Sequence, residues 1–170
     1  MIVSVIGTGL IGGSLALTLK GNSFCNKVIG VDSNIANAQL ALQLQIVDKI
    51  DNLQNAVRNS DFIIIAVPVD VALKVLPEVL DLIDNQVVID VGSTKEQIVK
   101  IASSHPKRKR FVATHPIWGT EYSGPSAAVK DGFKGKVTVI CNLLLKMLAI
   151  LTKMRQIGHT PVYKLPTDHA

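Results

Sequence analysis

The stretch Ile2-Val3-Ser4-Val5-Ile6-Gly7-Thr8-Gly9-Leu10-Ile11-Gly12-Gly13-Ser14 decides the fold. Its first five residues are almost wholly apolar and predict a buried strand over Ile2–Ile6. Glycines follow, and a helical pattern begins at Leu10 and runs to Lys20. The glycines stand as G-x-G-x-x-G between strand and helix. In that place Gly7 permits a tight turn, Gly9 lets the backbone approach a pyrophosphate, and Gly12 lets helix and strand pack closely. The helix start would offer free N–H groups and the positive end of its dipole to phosphates. A plain packing turn is the alternative use of such glycines. The apolar start is expected to be this strand, turn and helix rather than a secretory leader, because it lacks a positively charged first segment and its glycines fall at the spacing of such a turn.

The next strand, Lys27–Val31, ends at Asp32, twenty residues after Gly12. A carboxylate there can accept the ribose hydroxyls of an adenosine and repel a 2′-phosphate. Ser33 and Asn34 follow, and no Arg stands ready for that phosphate, so the pattern favours NAD over NADP. The structural alternative for Asp32 is a cap on the following helix, Ile35–Leu44. Gly7, Thr8, Gly9, Leu10, Ile11, Gly12 and Asp32 are therefore the candidate cofactor-binding residues, joined by Val67 and Pro68 where the third strand, Phe62–Val67, ends.

Further along, helix Val69–Leu82, strand Val87–Val91, helix Lys95–Ser103 and strands Phe111–Thr114 and Val137–Ile140 continue the alternation. Strands apolar throughout and separated by helices predict an α/β, Rossmann-type, doubly wound and mostly parallel sheet covered on both faces. Leu143–Arg155 has helical spacing, and Thr160–Tyr163 reads as a short strand. The bulk properties agree. The chain has 170 residues, 48% of them hydrophobic and 18% charged, with a mean hydropathy of +0.34, which is ample for a core. No run is long and apolar enough to span a bilayer, so no membrane partner is expected. Cys25 and Cys141 are far apart and near no histidine cluster, which predicts no metal site and fits a reducing, cytoplasmic location. The net charge is +5, much of it in Lys107-Arg108-Lys109-Arg110. No aromatic residue interleaves with these charges, so a solvated loop is favoured and no nucleic-acid partner is expected.

Open α/β sheets bind ligands at the carboxyl ends of their strands. Two such ends carry chemistry: Asp90-Val91-Gly92-Ser93-Thr94-Lys95, and Thr114-His115-Pro116-Ile117-Trp118-Gly119-Thr120-Glu121-Tyr122-Ser123-Gly124-Pro125. Ser93 and His115 thus emerge from neighbouring strands, where a hydroxyl and an imidazole can flank a nicotinamide and a substrate hydroxyl. The alternatives are a Ser93 that caps the next helix and a His115 that hydrogen-bonds a loop.

The segments GTGLIGGSLA, AVPV, DVGSTK and HPIWGTEYSGP, in this order, closely resemble the prephenate and arogenate dehydrogenases of tyrosine biosynthesis, over about residues 1–135. The resemblance implies NAD-dependent oxidative decarboxylation of prephenate or arogenate, a small-molecule substrate, to 4-hydroxyphenylpyruvate or tyrosine. A hydride leaves the ring carbon bearing the 4-hydroxyl, the ring carboxylate departs as CO₂, and the ring becomes aromatic. His115 matches the histidine that polarises the 4-hydroxyl, and Ser93 the serine that helps to place it. Thr120 and Glu121 match positions lining the substrate pocket. Trp118 stands where a small residue or Phe is more usual, and Cys141 where Pro is frequent. The family continues into a helical domain that builds a homodimer and supplies the basic residue that holds the substrate carboxylate. On this resemblance residues 1–165 form the NAD-binding domain, and 166–170 correspond to the start of the helical one. Two other readings stay open: a non-catalytic NAD-binding module, and another Rossmann NAD(P)-dependent reductase.

Overall fold

The computed structural model describes residues 1–141 and 162–164. The strands and helices alternate in the order β1 (Ile2–Ile6), α1 (Leu10–Gly21), β2 (Lys27–Val31), α2 (Ile35–Gln43), β3 (Lys49–Ile50), α3 (Leu53–Arg58), β4 (Phe62–Ile65), α4 (Val69–Leu82), β5 (Val87–Asp90), α5 (Glu96–Ser103), β6 (Phe111–Pro116), β7 (Thr138–Cys141) and β8 (Val162–Lys164). They form one sheet in the order β3-β2-β1-β4-β5-β6-β7-β8. All pairings are parallel except β6 with β7. This is the doubly wound Rossmann architecture expected, with the direction of strand succession reversing at β1, where β2 lies on one side and β4 on the other.

The pattern of side chains explains the two covered faces. Val3, Val5, Phe62, Ile64, Ile89 and Val112 turn to one face and pack with Leu15, Ala16 and Leu19 of α1. Ile63, Ile65, Val88, Phe111 and Ala113 turn to the other, under Leu76, Val79 and Leu80 of α4 and Ile98 and Ala102 of α5. Alternate residues of a strand point to opposite faces, so the run Phe62-Ile63-Ile64-Ile65 must be apolar at every position. Burying each such isoleucine contributes about 1.5–3 kcal/mol. The polar exception in β1 is satisfied: Ser4 Oγ bonds Ala56 O at 2.9 Å and Ser60 Oγ at 2.5 Å.

Two elements were not read from the sequence, β3 and α3. They are short, two and six residues, and β3 is half polar, so no periodicity builds up. A local signal was present nonetheless: Asn52 caps α3 by accepting a hydrogen bond from Asn55 N at 2.9 Å. The expected strand Phe62–Val67 is shorter, since the chain turns away after Ile65. The expected helix Leu143–Arg155, and the expected domain boundary at 165/166, lie outside the described residues. The basic cluster is not a free patch. Lys107 Nζ donates to Asp81 O and Ile83 O at the carboxyl end of α4, while Arg110 donates to Asn85 O and Oδ1 at 2.9 and 2.7 Å. These cations satisfy carbonyls left open where the helix ends.

Candidate active site

The three fingerprint glycines meet different constraints. Gly7 has φ +94°, and a Cβ there would stand 2.5 Å from Ala66 O. A Cβ at Gly12 would lie 2.0 Å from Gly7 O and 2.9 Å from Val5 Cγ1. Both positions are closed by the fold itself. Gly9 differs: the nearest atom to an added Cβ is Gly124 N at 4.0 Å. Packing does not demand a glycine there, so the bare backbone at Gly9 leaves room for something outside the chain. It faces the N-terminus of α1, whose cap position it occupies without any side-chain cap bond.

Asp32 sits at the end of β2, partly buried, and ties the turn together. Its Oδ2 accepts from Thr8 N at 2.9 Å and Thr8 Oγ1 at 2.8 Å, and its Oδ1 accepts from Asn34 N at 3.0 Å. It does not cap α2; Asn34 does, accepting from Asn37 N at 3.1 Å. A carboxylate offers about four acceptor sites. Three are taken, which leaves Oδ1 capacity for one further donor where the sequence reading gave it two ribose hydroxyls.

A cleft of about 550 Å³ opens at the carboxyl ends of the central strands. The fingerprint turn contributes Gly9, Leu10 and Ile11; the end of β4 contributes Ala66, Val67, Pro68 and Val69; the end of β5 contributes Val91, Gly92 and Ser93. His115 and Pro116 come from β6, and Trp118, Tyr122, Ser123 and Gly124 from the loop beyond it. The topology therefore brings Gly9, Val67, Pro68, Ser93 and His115 to one cleft. Thr120 and Glu121 are solvent-exposed and stand outside its lining. The loop is held over the glycine turn by a bond that no local pattern announces: Ser14 Oγ of α1 accepts from Val129 N at 2.8 Å. Trp118, noted in the sequence as unusual but given no site role, and Tyr122 both line the cleft. Their signal was their presence in a chain with only 4% aromatic residues.

Ser93 does not cap α5: the cap position is Lys95, and no side chain caps it. The Ser93 side chain is exposed to the cleft. His115 is half-buried. Burial holds its imidazole below the ordinary value of 6.5, Lys95 adds to that lowering, and Asp90 opposes it. Asp90 and Lys95 form a buried ion pair, Asp90 being 1% exposed. Asp90 Oδ2 also accepts from Gly92 N at 3.1 Å, and its backbone carbonyl accepts from Thr114 Oγ1 at 2.5 Å. Burial pushes the Asp90 carboxyl up, against the pull of Lys95 and of the backbone N–H groups of Gly92 and Thr114. Asp90 thus ties down the β5 turn that leads to Ser93 through its carboxylate, and the residue before His115 through its backbone carbonyl. What results is a neutral imidazole and a hydroxyl beside a glycine-lined helix start, suited to polarising a hydroxyl near a bound dinucleotide. Among the described residues, no group of three or more His, Cys, Asp or Glu could hold a metal ion.

The family model for the nucleotide-binding domain of prephenate dehydrogenase matches residues 15–156. Prephenate dehydrogenase of Bacillus subtilis is 38% identical over 142 residues, 81% of this chain and 38% of the relative. Among solved structures, prephenate dehydrogenase of Aquifex aeolicus in complex with hydroxyphenyl propionate and NAD⁺ is 26% identical. It superposes with a TM-score of 0.88 over 97% of this chain and 59% of that one. Arogenate dehydrogenase of Synechocystis is likewise 26% identical, with a TM-score of 0.86 over 97% and 59%. The chain spans about two fifths of the length of the curated relatives it matches.

Proposed function

The chain belongs to the prephenate dehydrogenase family as its nucleotide-binding domain, and from that premise we propose that it binds NAD⁺ and presents it to prephenate or arogenate for oxidative decarboxylation. The observation that carries this reading is the convergence of Gly9, Ser93 and His115, far apart in sequence, on one cleft. The cleft and the turn beside it suit a dinucleotide: Gly9 in the cleft is bare although the fold would tolerate a side chain there, and Asp32, behind the turn, keeps one acceptor site open. Gly7–Gly12 and the start of α1 would hold the pyrophosphate, Asp32 a ribose hydroxyl, and Val67 and Pro68 the middle of the molecule. When bound, NAD⁺ supplies the hydride acceptor.

The chain's own residues do the rest. His115, kept neutral by burial and Lys95, accepts a hydrogen bond from the substrate's 4-hydroxyl and draws its proton as carbonyl character develops at that carbon. Ser93 orients hydroxyl and imidazole, which is a positioning contribution. Thr120 and Glu121 are proposed for the substrate pocket from the resemblance alone; both are exposed and outside the lining of the cleft. Among the described cleft-lining residues there is no Lys or Arg. A substrate with two carboxylates needs fixed cationic partners. The expectation is that those come from the part of the relatives' length beyond this match, which in the resembling family forms a helical, dimer-building domain.

Calorimetric titration of the 170-residue chain should show NAD⁺ binding, with NADP⁺ much weaker. An absorbance assay for NADH with prephenate and with arogenate should then show little turnover. Equal affinity for both cofactors would remove the role given to Asp32. Turnover of roughly 1–10³ per second would show that the cleft is complete without further cationic groups.

A further inference from the structure

The sequence holds one tryptophan, and it lies on the cleft. Trp118 follows His115 by three residues, just after β6 ends. Ile117 N donates to Val137 O at 2.8 Å, so the loop is clamped where it leaves the sheet. β6 is four places along the sheet from β2, which carries Asp32. Trp118 therefore stands on the side of the cleft away from Asp32, the acid proposed to meet the adenosine ribose.

Two contacts fix the indole. Its ring meets Phe133 with centroids 4.8 Å apart and planes at 59°. Its six-membered ring also lies on the backbone of Gly132: an added Cβ would come within 2.5 Å of Cζ2 and 2.8 Å of Cη2. Phe133 is 3% exposed and packed in the core, so it cannot retreat. Gly132 and Phe133 thus form a backstop, and the free direction for the indole is into the cleft. A planar apolar face held this way can pack against a planar ring.

We propose that Trp118 is a cofactor-contacting wall at the His115 end of the cleft, seated by Gly132, and that it packs against the nicotinamide ring rather than the adenosine diphosphate half of the cofactor. This rests on the NAD⁺ reading above. Gly132 is a positioning residue, since it acts only through the indole.

The test uses the 170-residue chain, its Trp118→Ala and Gly132→Ala variants, and the double variant. Each is titrated calorimetrically with NAD⁺ and with ADP-ribose, which lacks the nicotinamide. Trp118→Ala should weaken NAD⁺ about three- to tenfold, the scale of one ring contact, and leave ADP-ribose unchanged. Gly132→Ala should weaken NAD⁺ alone, and adding it to Trp118→Ala should cost nothing more. In the unaltered protein, Trp118 emission should be quenched by NAD⁺ and not by ADP-ribose. Equal losses for both ligands, unchanged NAD⁺ affinity in Trp118→Ala, or emission blind to NAD⁺ would each overturn the assignment while leaving NAD⁺ binding intact. Failure of the unaltered chain to bind either ligand would overturn the NAD⁺ reading itself, and this inference with it. If Gly132→Ala does not fold, the emission measurement and the Trp118→Ala titrations still decide.

Discussion

The two ends of the cleft are built in opposite ways. At the end proposed for the phosphates, one short turn, Gly7–Gly12, brings Gly9, Leu10 and Ile11 to the cleft, and one long-range acid behind it, Asp32, ties the turn down through Thr8. At the end proposed for hydride transfer, the groups come from the ends of β5 and β6 and the loop between β6 and β7, with Asp90 bonded to Lys95 and Gly92 through its carboxylate and to Thr114 through its carbonyl. The first end is specified by backbone conformation, the second by side-chain contacts between distant segments. Substitutions at the first should therefore separate folding from binding by position within the motif, whereas the second should separate chemistry from binding.

The largest effect is expected at the hydride end. His115→Asn, in a protein extended to the length of its relatives, should lose about 10²–10⁴ in turnover, the usual contribution of a positioned acid–base group, with NAD⁺ affinity unchanged. Near-normal turnover would make His115 structural and collapse the contrast between the two ends. Next comes a split within the glycine motif. Gly12→Ala forces a Cβ to within 2.0 Å of Gly7 O and should lower stability by about 1–3 kcal/mol or more, read as a fall in denaturant midpoint. Gly9→Ala meets nothing nearer than Gly124 N at 4.0 Å, an ordinary contact, so it should keep the midpoint while losing NAD⁺ affinity about 5–100-fold, the same steric cost now borne by the ligand. If both variants behave alike, Gly9 is a packing glycine and no pyrophosphate lies over it.

A smaller effect is expected from Asp32→Ala. Removing the carboxylate should narrow the preference for NAD⁺ over NADP⁺ by roughly tenfold or more, since a 2′-phosphate no longer meets a like charge. Some loss of stability should accompany it, because Thr8 loses its acceptor. An unchanged cofactor ratio would assign Asp32 to the turn alone. The smallest effect concerns the ion pair. Asp90→Asn with Lys95→Met removes both charges without stranding either. Lys95 outweighs Asp90 in its influence on His115, so the imidazole should titrate at higher pH in the double variant, nearer its ordinary value of 6.5. Histidine ring resonances followed by NMR across pH, with His115→Asn to assign the signal, provide the measurement. A shift to lower pH would show that the pair does not act on the imidazole as described.

The sequence by itself determined the strand–turn–helix at the N-terminus, the doubly wound sheet, and the positions of Gly7, Gly9, Gly12, Ser93 and His115 relative to strand ends. These features follow from local rules: apolar runs buried on both faces, glycine where φ is positive or space is closed, and ligands at carboxyl ends of parallel strands. Tertiary structure alone decided which neighbours share the cleft. Thr120 and Glu121 lie in the same loop as Tyr122, yet only Tyr122 lines the cleft, because the Ser14–Val129 bond and the Ile117–Val137 clamp set how the loop folds back. The seat of Trp118 on Gly132, the pairing of Asp90 with Lys95, and the three acceptor sites already filled on Asp32 were equally out of reach of pattern. Each depends on a contact between residues that the chain brings together only by folding, and periodicity carries no record of such distances.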